Sequence, residues 1–164
     1  MTAMLKFAPS GVYVMCKYKH ETQQAMLKWA KDNDIPYPLE GSKLHSTIVQ
    51  SNASIPNYED LNREDVNWEF TIKKMEMFET RFSSLSGKPE AGLVFMLDAP
   101  ELKELHLDLR KRGANHSRPD YNPHVTVSYF VPKSINISKL PLPTFKMKVD
   151  KIVAEPIDVD WIYH

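Results

Sequence analysis

Two strings in this chain set a threonine two residues after a histidine: Leu44-His45-Ser46-Thr47-Ile48 and Pro123-His124-Val125-Thr126-Val127. Both lie among aliphatic residues that favour extended structure. Side chains at i and i+2 of a strand leave the same face, so each string aims an imidazole and a hydroxyl at one space. With 6 His and 7 Thr in 164 residues, random placement would give roughly a quarter of one such pair. Two copies, both in strand-like settings, therefore invite a chemical reading.

That chemistry is phosphodiester cleavage. It needs a base to deprotonate the attacking oxygen and an acid to protonate the leaving oxygen. Histidine, with an unperturbed pKa of about 6.5, serves as either near neutral pH. Two histidines on opposite sides of a phosphate divide the tasks. Thr47 and Thr126 would donate to the non-bridging oxygens and steady the charge of the transition state. A zinc site usually needs three or four ligands, whereas Cys16 is the only thiol and no Asp or Glu stands beside either motif. The expected site has neither metal nor cofactor. The other four histidines, His20, His106, His116 and His164, read as surface or packing residues.

The elements that must position these groups are set by periodicity. Gly11 to Tyr18 alternates as a strand, with Val12, Val14 and Cys16 opposite Tyr13, Met15 and Lys17. A helix is expected from Glu21 to Asn33, stopped before Pro36 and Pro38, and the His45 strand from Lys43 to Gln50. Asn52 to Asp65 reads as a loop with at most a short helical turn, Asn67 to Thr80 as a strand, Phe82 to Glu90 as a turn and Gly92 to Asp98 as an apolar strand. The next helix, Pro100 to Arg112, has Glu101 and Glu104 near its start, Arg110 to Arg112 at its end and Gly113 as its cap. A polar loop then delivers the His124 strand, and strands near Phe145 to Ala154 and Val159 to Tyr163 finish the chain. The repeated order of strand, helix and His-strand predicts an α+β protein of two related lobes, approximately 1–66 and 67–164, around a shared cleft.

Composition bounds the partners. The chain has 42% hydrophobic and 26% charged residues and a formal net charge of zero. These values suit one soluble domain. A protein that grips long RNA or DNA usually carries a basic excess. Its absence points to a small ligand in a pocket, with no stable long nucleic-acid complex. No apolar run approaches a membrane span, no secretory signal is visible, and one cysteine fits a reducing cytoplasm. Cys16, in an alternating strand, is expected to pack rather than react. Lys43 and Arg118 stand near the two motifs and have the charge to attract phosphate.

At its two motifs the chain resembles the 2H phosphoesterase superfamily, whose signature is a pair of His-x-Thr/Ser motifs flanked by hydrophobic residues. The resemblance implies a bilobal, LigT-like α+β fold with antiparallel sheets flanking a pseudo-twofold cleft and helices outside. It also implies metal-independent cleavage beside a ribose 2′-hydroxyl. More narrowly, the chain is similar to the anti-CBASS phosphoesterases of tailed bacteriophages, which degrade cyclic di- and trinucleotide messengers of a bacterial defence system. That similarity runs from Tyr13 through both motifs to Glu155-Pro156 and Trp161. It implies that His45, Thr47, His124 and Thr126 are catalytic, that Tyr13, Glu155 and Trp161 hold nucleobases, and that the protein acts in the cytoplasm of an infected host. Stacking by Tyr13 and Trp161 fits the sequence tolerance of aromatic faces; core packing is the alternative for both. Two other readings stay open: a 2H enzyme acting on linear RNA or 2′,5′-linked oligonucleotides, and a non-catalytic protein that sequesters cyclic nucleotides. Oligomeric state is left open, a monomer being compatible with the site.

Overall fold

A computed structural model describes residues 11–115 and 120–157. The elements run β1 (Val12–Tyr18), α1 (His20–Asp32), β2 (His45–Ser51), β3 (Glu69–Phe78), β4 (Glu90–Asp98), α2 (Pro100–Lys111), β5 (His124–Pro132) and β6 (Met147–Pro156), with 3₁₀ turns at Gly41–Lys43, Tyr58–Leu61 and Ile137–Lys139. The expected strand at Val159 to Tyr163 lies outside the described residues.

Alternation makes β1 two-sided. Val12, Val14, Cys16 and Tyr18 are buried in the core, while Tyr13 and Lys17 are half-buried on the other face. Strand β4 is buried at every position before Asp98, as an apolar run in a central strand should be. Helix α2 starts on Pro100 and ends before Gly113, whose φ of +105° suits a residue without a Cβ. Its inner stripe is Leu102, His106 and Leu109. His106 is therefore a core-facing residue, although its type alone suggests the surface.

The strands form one antiparallel sheet in the order β2-β1-β6-β3-β4-β5. The two expected sheets are halves of this one. Each half places a motif strand at the outer edge: β2-β1-β6 on one side and β5-β4-β3 on the other. The halves join through Glu69↔Lys148 and Phe70↔Met147. Strand β6, last among the described strands, thus completes the half built on the first two. Helix α1 adds a second tie, for its Trp29 meets Phe95 of β4 edge-on at 4.9 Å and donates its indole N–H to the Pro141 carbonyl. Truncating such a buried aromatic costs about 3–5 kcal/mol.

The sheet curls, bringing its edge strands β2 and β5 near each other. Edge strands carry backbone groups with no strand partner. Here the segment leading into each motif strand satisfies the edge of the other. The Leu39 amide, ahead of β2, donates to the Val127 carbonyl of β5 at 2.8 Å. The Tyr121 hydroxyl, ahead of β5, donates to the Thr47 carbonyl of β2 at 2.8 Å. His106 adds its Nδ1–H to the Ile48 carbonyl at 2.7 Å, with its ring stacked on Tyr121 at 4.1 Å and 6°.

Candidate active site

The paired edges carry both motifs. Each histidine opens its strand, and each is anchored alike: Nδ1 of His45 meets the Lys43 carbonyl at 2.9 Å, and Nδ1 of His124 meets the Asn122 carbonyl at 2.9 Å. A carbonyl only accepts, so Nδ1 carries the hydrogen. The neutral ring then presents a lone pair at Nε2. The two rings lie close enough that positive charge on His124 disfavours positive charge on His45.

Register explains which side chains join them. Met15 lies opposite Thr47 and Val14 opposite Val49, so Ile48 is an extra residue in β2. Val94 lies opposite Thr126 and Leu93 opposite Ser128, so Val127 is an extra residue in β5. Both motif strands therefore bulge one position past the threonine. A bulge reverses the alternation beyond it. In β5 this sends Ser128 toward the core and brings Tyr129 to the face of His124 and Thr126. Tyr129 lines a cleft of about 370 Å³ with Tyr13, Met15, Lys17, Lys43 and His45. Simple alternation puts Ser128 there instead, so the sequence carried no signal for Tyr129.

Tyr13 is the hub of the first half. Its hydroxyl lies 3.1 Å from Nε2 of His45 and 2.5 Å from Oγ1 of Thr47. One consistent chain runs from the Thr47 hydroxyl to the Tyr13 oxygen, and from the Tyr13 hydroxyl to Nε2. Burial keeps Tyr13 a phenol by raising its pKa, against a smaller lowering by the Thr47 hydrogen bond. For His45, burial is the main cause of a lowered pKa. The Lys43 carbonyl opposes that shift, and the nearby Lys17 and His124 reinforce it. Burial thus favours the neutral form of the His45 ring.

Of the residues expected at the site, Tyr13, His45, Thr47 and Glu155 share the face of β2-β1-β6, where Tyr13 pairs with Glu155 across β1 and β6. His124 and Thr126 lie on the face of β5. Trp161 and Arg118 lie outside the described residues. Cys16 faces the core, where burial pushes its thiol up to about 11. Among the described residues, no group of three His, Cys, Asp or Glu is placed to hold a metal ion, and no helix is long and apolar enough to cross a membrane. Such an arrangement can take a proton on one side of a phosphate and give one on the other.

Comparison with known proteins bears on the fold and the family. E. coli LigT in apo form superposes with a TM-score of 0.55 and 17% identity, over 90% of this chain and 87% of that chain. LigT complexed with 3′-AMP gives 0.57 and 17%, over 89% and 87%. These likenesses establish a LigT-like fold. The Anti-CBASS protein Acb1 of Yersinia phage phiR1-RT is 31% identical over 162 residues, 96% of this chain and 97% of that protein. Its counterpart from Enterobacteria phage T4 is 28% identical, over 93% and 91%. A family profile described as Anti-CBASS protein Acb1 matches residues 10–164. The chain, with both motifs inside that span, belongs to the Anti-CBASS protein Acb1 family.

Proposed function

We propose that this protein is a phosphodiesterase that cleaves the 3′–5′ bonds of cyclic di- and trinucleotide messengers and thereby evades CBASS immunity. The observation that supports this most is the matched anchoring of two histidines on facing edge strands, each with a threonine on its own face. Family membership supplies the substrate class.

In the proposed route His45 takes the proton from a ribose 2′-hydroxyl, whose oxygen attacks the adjacent phosphorus. His124 gives a proton to the departing 5′-oxygen. The ring opens to a 2′,3′-cyclic phosphate. With the roles exchanged, His124 activates water, His45 protonates the 2′-oxygen, and a linear 3′-phosphate results. On substrate binding the Thr47 hydroxyl turns from the Tyr13 oxygen to one non-bridging oxygen, and Thr126 holds the other as charge develops. Tyr13, Glu155 and Trp161 contact the bases. The assignment of His45 as first base rests on its burial, which lowers its pKa; the ribose hydroxyl takes the place of the Tyr13 hydroxyl at Nε2. Both proton carriers are side chains, so the route uses no metal.

Incubation with a panel of cyclic di- and trinucleotides, linear RNA and 2′,5′-oligoadenylate, in chelator and with products read by mass spectrometry, tests the proposal. Expected is opening of the cyclic substrates through a cyclic-phosphate intermediate, and no turnover of 2′-deoxy analogues. Rapid cleavage of a 2′-deoxy ring, or activity restored only by an added divalent metal, would overturn it.

A further inference from the structure

One row of the sheet beside His45 is charged in a way the proposed reaction leaves unused. Across β2, β1 and β6, His45 lies opposite Lys17, and Lys17 lies opposite Lys151. Directly opposed residues of antiparallel strands share a face, so both lysines stand on the face of the site. Each step across the sheet is about 5 Å. Lys17 is thus one step from the histidine and Lys151 two, along a single direction away from β5.

Both lysines line the cleft beside the sheet. Among the described residues the ion pairs within 4 Å lie elsewhere, and neither Lys17 nor Lys151 takes part. Lys17 is held by donating to the Ser42 carbonyl at 2.6 Å, and its partial burial lowers its pKa. An adjoining cleft of about 430 Å³ is lined by Lys17, Lys151, Gln23 and Ser42. Two carboxylates, Asp150 and Glu155, also line it. Glu155 attracts Lys17 without forming an ion pair within 4 Å, and its backbone stands opposite Tyr13, four positions along β6 from Lys151. Desolvating a positive charge next to a catalytic histidine is costly unless an anion arrives.

The other half of the sheet shows what an idle lysine looks like. In its matching row His124 lies opposite Met96, and Met96 opposite Lys74. The first position is apolar, and Lys74 is neutralised by Glu76 at 2.8 Å. Of the two rows, the one beside His45 offers two cations to a ligand.

We propose that Lys151, with Lys17 beside it, holds a second phosphate of the substrate, the one not being cleaved. The subsite rests on the cyclic-oligonucleotide reading and narrows it to ligands that carry at least two phosphates. A ring seated with one phosphate between the histidines extends its next phosphate along this row. Lysine suits the task as a compact charge on a flexible stem that adapts to rings of different size.

The test is steady-state kinetics on the cyclic dinucleotide that the native chain turns over fastest, with melting temperature as the check on folding. Loss of a charged hydrogen bond predicts that Lys151→Met raises KM about ten-fold with kcat within about two-fold. Lys151→Arg restores KM, and Lys74→Met leaves both parameters unchanged. An unchanged KM in folded Lys151→Met overturns the subsite while leaving the phosphodiesterase reading intact. So does an equal rise in Lys74→Met, which would mean diffuse attraction, or failure of Lys151→Arg to restore KM. If the native chain opens no cyclic nucleotide, the phosphodiesterase reading itself fails and the subsite with it.

Discussion

The two halves of the sheet repeat one layout and fill it differently. Outward from each motif, His45-Lys17-Lys151 matches His124-Met96-Lys74, and Thr47-Met15-Val153 matches Thr126-Val94-Glu76. Where β1 supplies Tyr13, β4 supplies Gly92, whose place is covered by the ring of Phe78 from β3; a Cβ there would collide with that ring. The shared parts are the histidine, the threonine, the carbonyl anchor and the bulge. In the proposed route these parts transfer protons and bind the reacting phosphate, which both sides need equally. The unshared parts are the charges and the hydroxyl near His45. They leave the His45 side desolvated and lined by cations, and the His124 side lined by apolar Met96 and Val94.

The shared parts predict the largest effects. The proposed route has the histidines act on one phosphate as a pair, so His45→Ala and His124→Ala should each lower kcat by roughly 10²–10⁴. The double variant should be little worse than either single one, since groups acting as a unit are strongly non-additive. Fully multiplicative losses in single-turnover assays would mean that the halves work separately. Next, Thr126→Val and Thr47→Val each remove a donor to the charged phosphate, and kcat should fall by roughly 10²–10³ with little change in KM. A large KM change with kcat intact would move the threonines from the transition state to simple binding.

Smaller effects probe the unshared parts. Gly92→Ala forces the Phe78 ring aside and should destabilise the fold by about 1–3 kcal/mol in denaturant titrations. Tyr121→Phe removes one donor to the edge of β2 and should cost about 1 kcal/mol. Its kcat should hold, because its hydroxyl meets the backbone carbonyl of Thr47 rather than the side chain. The smallest effect is a shift in pH profile. The acid limb of kcat/KM reports the base of the free enzyme, so it should lie below the ordinary histidine value of about 6.5. Lys17 contributes to that lowering, and Lys17→Met should therefore move the limb to higher pH. A limb that stays put or moves down would mean that His45 is not the base.

Much of this site was legible in the residues. Alternation in Val12 to Lys17 placed Tyr13 on the face opposite the core, and i, i+2 spacing placed each threonine beside its histidine. Helix α2 was readable from Pro100 to its glycine cap, because local preferences and the buried stripe agree there. His106 was harder. Its spacing with Leu102 and Leu109 puts it on the inner face, yet nothing local says that a carbonyl of an edge strand awaits it. Tyr121 was hidden in a polar loop for the same reason.

The chain by itself determines which groups are present, which strand each rides and which neighbours share its face. Those properties come from short-range sterics and burial, whose periods are written in adjacent residues. Three matters were left to the tertiary structure. The bulges at Ile48 and Val127 re-aim the residues beyond them, which is why Tyr129 rather than Ser128 reaches the site. The crossing of β6 to the side of β1 creates the Lys17-Lys151 row from residues more than a hundred positions apart. The curl of the sheet turns two separated edges into one cleft. Each depends on pairing between distant strands, and that pairing is chosen by the packing of the whole core rather than by any window of sequence.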